Sequence, residues 1–318
     1  MKVTDYFDNA EGETLVSFEV LPPLKGGTMK SIFDVLDPLM EFKPPFVDVT
    51  YHREEYIYTE NADGSYEKSA IRKRPGTVGI CAAIMHRYGV DAVPHLICGG
   101  FSKEDTENAL IDLNFLNINN VLALRGDARK FDDKFVPESN GHHFAEDLVR
   151  QIDAMNQGTY LDSNIEDGAA TDFCIGVAGY PEKHFECPSI DTDLLYTKAK
   201  VDAGAAYIVT QMFFDNEKYF QYVDACRAAG ITVPIVPGLK PLTRAYQLQS
   251  IPRRFYINMP EDLVKEALKL KTSKALRELG IEWCANQSRE LRERGAPCLH
   301  YYTMGDAKTI RKVIEKAF

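Results

Sequence analysis

The 318-residue sequence is short of several things, and each shortage removes a class of function. Positive charge is in deficit: 37 Lys and Arg stand against 47 Asp and Glu, a formal net charge of -10. Such a field repels phosphate backbones and acidic membrane surfaces, so neither is expected as a partner, although local basic groups can still hold a phosphorylated cofactor. Cysteine is scattered and odd in number, at positions 81, 98, 174, 187, 226, 284 and 298, with no Cys-x-x-Cys pair. That pattern argues against a disulfide framework or a zinc ribbon and suits a reduced, cytoplasmic protein. No apolar run is long enough to cross a bilayer, and the opening Met1 to Asp8 lacks the apolar core of a signal peptide. Two phosphate-binding signatures are also missing. Lys25-Gly26-Gly27-Thr28 lacks the order of a P-loop, and no Gly-x-Gly-x-x-Gly follows the first apolar stretch.

What is present is ordinary globular material, 45% apolar and 26% charged. Its most telling stretch is Leu15-Val16-Ser17-Phe18-Glu19-Val20-Leu21-Pro22-Pro23, a buried-type strand with one carboxylate, ended by prolines that cannot donate to a ladder. Further short apolar runs occupy 46–51, 93–98, 120–124, 173–178, 206–211, 233–238 and 298–303. Helical stretches lie between them. The first is capped by Thr28 or Ser31 and carries Ile32, Val35, Leu36, Leu39 and Met40 at helical spacing. Another follows Ser102, with Asp105 completing a box-like cap and Leu110, Leu113 and Leu116 as its stripe. Further helices cover 78–88, 144–155, 191–203, 218–229 and 306–317, and 242–297 is a mainly helical insert. Residues 52–74 read as a long charged loop, a candidate lid, with a turn at Asn61 to Gly64. A second loop runs from Ala128 to His143. Its adjacent His142 and His143 point in different directions, so they are read as an exposed pair rather than metal ligands. About eight alternating strand–helix units predict a parallel (β/α)8 TIM barrel, α/β in class, with extra helices before the last strand. A doubly wound open sheet is the alternative.

In a barrel of this kind the strand C-termini gather at the active-site face. Glu19, Thr50, His95, Arg125, Asp127, Tyr180, His184 and Gln211 fall there. Each has a bland reading, such as a loop cap, a satisfied core histidine or an internal ion pair; the clustering is what points to function. A Glu at the end of an apolar strand is either paired or kept protonated, and the protonated form is what a general acid needs near neutral pH.

These same residues carry a family resemblance. Ser17-Phe18-Glu19 with Pro22-Pro23, Pro94-His95-Leu96, Leu122 to Asp127, Tyr180-Pro181-Glu182 with His184, Lys200 to Ala205, Thr210 to Asp215, Val236-Pro237-Gly238 and Tyr301-Tyr302-Thr303 resemble, in order, the motifs of the methylenetetrahydrofolate reductases. The resemblance implies one FAD-binding (β/α)8 catalytic domain over 1–318, in which NADH or NADPH reduces FAD and 5,10-methylenetetrahydrofolate becomes 5-methyltetrahydrofolate by ping-pong kinetics. It implies Glu19 as general acid, Asp127 as the charged group beside flavin and folate, and Gln211 and Gln247 as folate-side amides. Thr50, His95, Arg125, Gly126, Asp127, Tyr180, His184, Asp193 and Lys200 would contact FAD. It further implies a homo-oligomer in one-carbon metabolism feeding methionine synthesis. The sequence departs from the family pattern at His52-Arg53 and the charged stretch after them, at Tyr196 and Ala199, where adenine contacts are expected to be lost, and at Gly305 and Asp306. With no long C-terminal regulatory domain in the chain, control by S-adenosylmethionine is not expected. A proline dehydrogenase-like flavin barrel and a flavin-binding subunit that needs a partner are the alternatives.

Overall fold

In the computed structural model, which describes residues 1–129 and 132–318, Glu19 lies on β1 (Leu15–Val20). The other strands are β2 (Phe46–Val49), β3 (Glu55–Glu60), β4 (Tyr66–Ile71), β5 (Asp91–Ile97), β6 (Asn120–Leu124), β7 (Cys174–Gly179), β8 (Tyr207–Thr210), β9 (Ile235–Val236), β10 (Gly238–Leu239) and β11 (Cys298–Tyr302). All but β3 and β4 form one sheet in the order β10-β11-β1-β2-β5-β6-β7-β8-β9, every neighbouring pair parallel. The two ends of that order are one residue apart in the chain. β9 and β10 are halves of a single strand interrupted at Pro237, whose missing N–H removes a rung. The ring therefore closes on eight strand positions, the (β/α)8 barrel expected, and the open sheet is excluded.

The interruption is built with care. The Pro237 carbonyl accepts from the His300 N–H at 3.1 Å, and the Gly238 N–H donates to the Thr210 hydroxyl at 3.0 Å. A Cβ at Gly238 would lie 2.2 Å from the Thr210 carbonyl oxygen and 2.5 Å from the Tyr302 hydroxyl, so only glycine fits.

Alternation along the strands sorts their residues. Phe18, Val20, Val47, Val49, Val121, Ala123, Ile175 and Val177 belong to the core shared with the outer helices. Phe46, Val93, Leu122, Cys174, Tyr207, Val236 and Cys298 pack with one another inside the barrel, toward its floor. A helix the sequence reading did not foresee, α1 (Val3–Asn9), closes that floor. Val3 is fully buried, its N–H donates to Asn120 Oδ1 at 2.8 Å, and Phe7 stands edge-on to Phe46 and Tyr207.

Outside run α2 (Lys30–Leu36), α3 (Val78–Tyr88), α4 (Lys103–Phe115), α5 (Ala145–Asn156), α6 (Ile190–Asp202) and α7 (Asn216–Ala228), then the insert α8 (Gln247–Phe255), α9 (Glu261–Lys269) and α10 (Ser273–Glu293), and finally α11 (Ala307–Ala317). The insert packs on Met212 and Phe214, and α10 holds the turn after β8: Trp283 Nε1 donates to the Phe214 carbonyl at 2.9 Å and Gln287 Nε2 to that of Phe213 at 3.2 Å. The box at Ser102 forms as expected, with Asp105 N–H on its hydroxyl at 3.1 Å.

Several local expectations change. Neither Thr28 nor Ser31 caps α2; Met29 holds that position, and the Ser31 hydroxyl donates to the Thr28 carbonyl. Pro38 ends α2 early, and a 3-10 turn over Asp37–Phe42 continues the apolar stripe to buried Leu39. Leu116 lies beyond the end of α4 and is exposed. The supposed lid loop contains an antiparallel hairpin, β3 on β4 from Glu55↔Ile71 to Glu60↔Tyr66, turning at Asn61 to Gly64. Both faces of the hairpin are largely exposed, so no apolar alternation marked it; its Tyr, Ile and Thr residues were the remaining signal. His142 is buried, with Nε2 2.5 Å from Gln151 Oε1, while His143 is exposed. Positions 130 and 131 of the second loop lie outside the described residues. Among those described, no helix is long and apolar enough to cross a membrane.

Candidate active site

A cavity of about 1370 Å³ opens at the C-terminal ends of the strands. Glu19, Thr50, His95, Arg125, Gly126, Asp127, Tyr180, His184, Asp193, Lys200 and Gln211 all line it. Eleven of the twelve residues named from the sequence are thus brought together. Gln247 is not among them. Its side chain is buried at the start of α8, where Oε1 accepts from the Thr243 and Arg244 N–H groups at 2.8 and 2.9 Å.

Glu19 points inward because Ser17 and Glu19 share the inner face of β1. Its backbone is pinned from the neighbouring strand: the Thr303 hydroxyl and N–H both donate to the Glu19 carbonyl, at 2.7 and 3.2 Å. Burial pushes its carboxyl up to about 7; His95 opposes the shift and Asp48 adds to it. His95 Nε2 lies 3.7 Å from Glu19 Oε2 and 3.4 Å from Asp48 Oδ2. Burial lowers the proton affinity of His95, so the imidazole is the neutral kind of neighbour. Beneath them His300 Nδ1 sits 2.8 Å from the Ser17 hydroxyl.

Another part of the wall carries charges of both signs, Lys200 and Arg125 beside Asp193 and Glu186. Lys200 reaches from α6 to the Ala178 carbonyl on β7 at 2.5 Å. It is buried and forms no salt bridge among the described residues, and desolvation brings its ammonium down to about 8, with Asp193 opposing. Asp193 Oδ2 accepts the His184 N–H at 3.1 Å. His184 stands edge-on to Tyr180 and stacks on Phe185, with ring centroids 4.7 Å away in both cases, and burial drives its imidazole down to about 4. Arg125 pairs with Glu186 at 2.5 Å. Gly126 adopts a left-handed φ of +85°, which lets the chain turn sharply at the end of β6 and bring Arg125 and Asp127 both onto the cavity wall. Gln211 keeps its Oε1 on the Met212 N–H at 2.9 Å.

Three features escaped the sequence reading. Asp48, fully buried on β2, was passed over as one residue of an apolar strand, although a charge in such a run is the signal that singled out Glu19. His300 shares the inner face of β11 with Tyr302, and nothing in the strand pattern marks it as part of the site. Lys240, Arg254 and Phe255 reach the cavity from the loop after β10 and from α8, which no local pattern announces.

Comparisons with known proteins bear on the family and the fold. The family model for methylenetetrahydrofolate reductase matches residues 2–317. The chain is 32% identical over 320 residues to methylenetetrahydrofolate reductase 1 of Schizosaccharomyces pombe, covering 99% of this chain and 48% of that protein. It is 31% identical over 299 residues to the 5,10-methylenetetrahydrofolate reductase of Escherichia coli, covering 94% of this chain and 88% of that one. It thus spans about half the length of its eukaryotic relatives and most of the bacterial one. Among solved structures, a Clostridium thermocellum protein described as binding two copies of 5-methyl-5,6,7,8-tetrahydrofolic acid superposes with a TM-score of 0.53 at 12% identity over 99% of both chains, a likeness of fold. With a model matched from end to end and a bacterial relative covered over nearly its whole length, the chain belongs to the methylenetetrahydrofolate reductase family.

Proposed function

We propose that residues 1–318 form one catalytic domain that uses FAD to reduce 5,10-methylenetetrahydrofolate to 5-methyltetrahydrofolate with electrons from NADH or NADPH. The observation that carries the reading is a carboxyl held near pH 7 at the end of β1, facing a large cavity that Lys200 and Arg53 also line.

The residues fit FAD. The cavity exceeds the 300 to 1,000 Å³ of typical small-ligand pockets, as a dinucleotide beside a second ligand requires. Among the described residues Lys200 forms no salt bridge, although Asp193 lies within electrostatic reach, and the Arg53 guanidinium nitrogens at the cavity wall are buried without hydrogen bonds. Both suit an anion such as a pyrophosphate. Bound there, FAD would supply a carrier that accepts a hydride from one substrate and gives it to another. Thr50, His95, Arg125, Gly126, Tyr180, His184, Asp193 and Lys200 are read as its contacts.

This chain's own residues then account for the folate chemistry. Opening the five-membered ring of the substrate leaves electron density on a nitrogen and positive charge on the methylene carbon. Protonated Glu19 donates to that nitrogen, and the Asp127 carboxylate favours the developing cation. Gln211 still offers its amide N–H₂ to a pterin acceptor. A mouth at the strand C-terminal ends, with α1 closing the floor, suits substrates that visit in turn, the ping-pong order. Seven free, buried cysteines suit a reducing compartment.

The test is direct. The purified chain should be yellow with FAD, bleach anaerobically with NADH or NADPH, and recover colour on 5,10-methylenetetrahydrofolate while forming 5-methyltetrahydrofolate. A colourless protein that takes up no FAD, or a yellow one that oxidises proline and ignores the folate, would sink the reading.

A further inference from the structure

Asp48 is a buried carboxyl that the proposed reaction has not used. It is fully buried, and among the described residues neither carboxyl oxygen has a hydrogen-bond partner. Such a group costs several kcal/mol in an apolar core unless it acts on something. The nearest candidate is His95, whose Nε2 is also buried and unbonded and lies between two carboxyls, 3.4 Å from Asp48 and 3.7 Å from Glu19. Register explains the arrangement: Glu19 is level with Asp48 across β1 and β2, and Asp48 with Val93 across β2 and β5, so His95 is the next inward residue toward the mouth.

We propose that Asp48 and His95 form a carboxyl–imidazole–carboxyl set with Glu19, in which Asp48 is a positioning residue that keeps the general acid protonated and His95 is a single N–H donor shared between the two carboxyls. This rests on Glu19 being the acid of the proposed reaction.

Two carboxylates flanking one neutral imidazole in a dry site do not both ionise readily. While His95 Nε2–H serves Asp48, the anion is held there and the proton stays on Glu19. When that proton leaves for the folate nitrogen, the same N–H turns to the new Glu19 carboxylate. A proton from water at the cavity mouth then restores Glu19, so one proton enters for each one delivered. Among the described residues no Lys or Arg pairs with Asp48. The titratable groups within electrostatic reach are Glu19 on β1, His95 on β5, Tyr207 on β8, and Cys298, His300 and Tyr302 on β11, with Cys81 of α3 behind it. Burial leaves His95 and His300 reluctant to protonate, and it holds the phenols and thiols neutral well above physiological pH.

The experiment is a carboxyl titration by isotope-edited infrared spectroscopy on the purified protein without substrate, compared with Asp48→Asn. In the unaltered chain Glu19 should titrate near 7. The two carboxyls lie 3.4 and 3.7 Å from one imidazole nitrogen and so are at most about 7 Å apart; removing one charge at that distance should lower the Glu19 midpoint by about one to two pH units. The pH profile of folate reduction should move down by the same amount. An unmoved Glu19 midpoint in Asp48→Asn overturns the proposal. If that variant does not fold, the unaltered chain still decides. Two coupled carboxyl steps support the set, and one step with Glu19 in the ordinary carboxylate range overturns it. The titration needs no turnover, so a chain inactive on folate would overturn the proposed reaction while the infrared shift judged the carboxyl set separately.

Discussion

Glu19→Gln separates proton donation from everything else the cavity does. A carboxyl titrating at about 7 is about half protonated at pH 7, whereas one at the ordinary 4.5 would be protonated about 0.3% of the time. Burial on β1 therefore multiplies the available acid roughly 150-fold at neutral pH. Gln keeps the shape and can hydrogen-bond, but it has no proton to give. General acid catalysis is worth about 10²- to 10⁴-fold, so folate reduction should fall by that factor, about 3 to 5 kcal/mol in barrier. The nicotinamide half-reaction needs no such proton and should stay within about threefold of the unaltered rate. Anaerobic stopped-flow absorbance reads the two half-reactions separately. The same acid sets the pH dependence: folate reduction should be flat below about pH 6 and fall about tenfold per unit above about 8, as the carboxyl loses its proton. An equal loss in both half-reactions, or a profile flat from pH 6 to 9, would refute the assignment.

Three other outcomes follow from the same structure. Lys200→Met should weaken FAD binding to the apoprotein by at least about tenfold, read by quenching of flavin fluorescence, because a charge-assisted bond to an anion contributes about 1.5 to 3 kcal/mol; unchanged affinity would place the phosphates elsewhere. Gly238→Ala forces a methyl into space already held by the Thr210 carbonyl and the Tyr302 hydroxyl, and should cost about 1 to 3 kcal/mol in urea unfolding. Glu19 binds its proton more tightly folded than unfolded, so its contribution to stability is complete below about pH 4.5 and lost as pH rises through about 7. Glu19→Gln should therefore gain on the unaltered chain by on the order of 3 kcal/mol across that window in urea titrations; a difference constant with pH would contradict the raised proton affinity.

The barrel was legible because its strands are short apolar runs with helical spacing between them, and the mouth because strand ends carry polar groups by construction. Legibility failed where a residue's meaning depends on distant partners. Asp48 has significance only once His95 on another strand stands 3.4 Å away. The hairpin over Glu55–Ile71 buries too little on either face for periodicity to betray it. Helix α1 is only seven residues long, and its one fully buried side chain, Val3, gains its place from Asn120, far along the chain. Gln247 resembled a folate-side amide by position alone, but the start of α8 has already taken its carbonyl.

The interruption at Pro237 gives the hoop a seam. Two residues hold it to β8 and two to β11, and one of its amides hangs on a threonine hydroxyl instead of a carbonyl. Of all the staves, this is the one that should exchange its amide hydrogens soonest and spring first under heat or denaturant. Lys240 and the start of the helical insert hang just beyond it, so the side of the vessel that gives way most readily is also a side that meets the ligands.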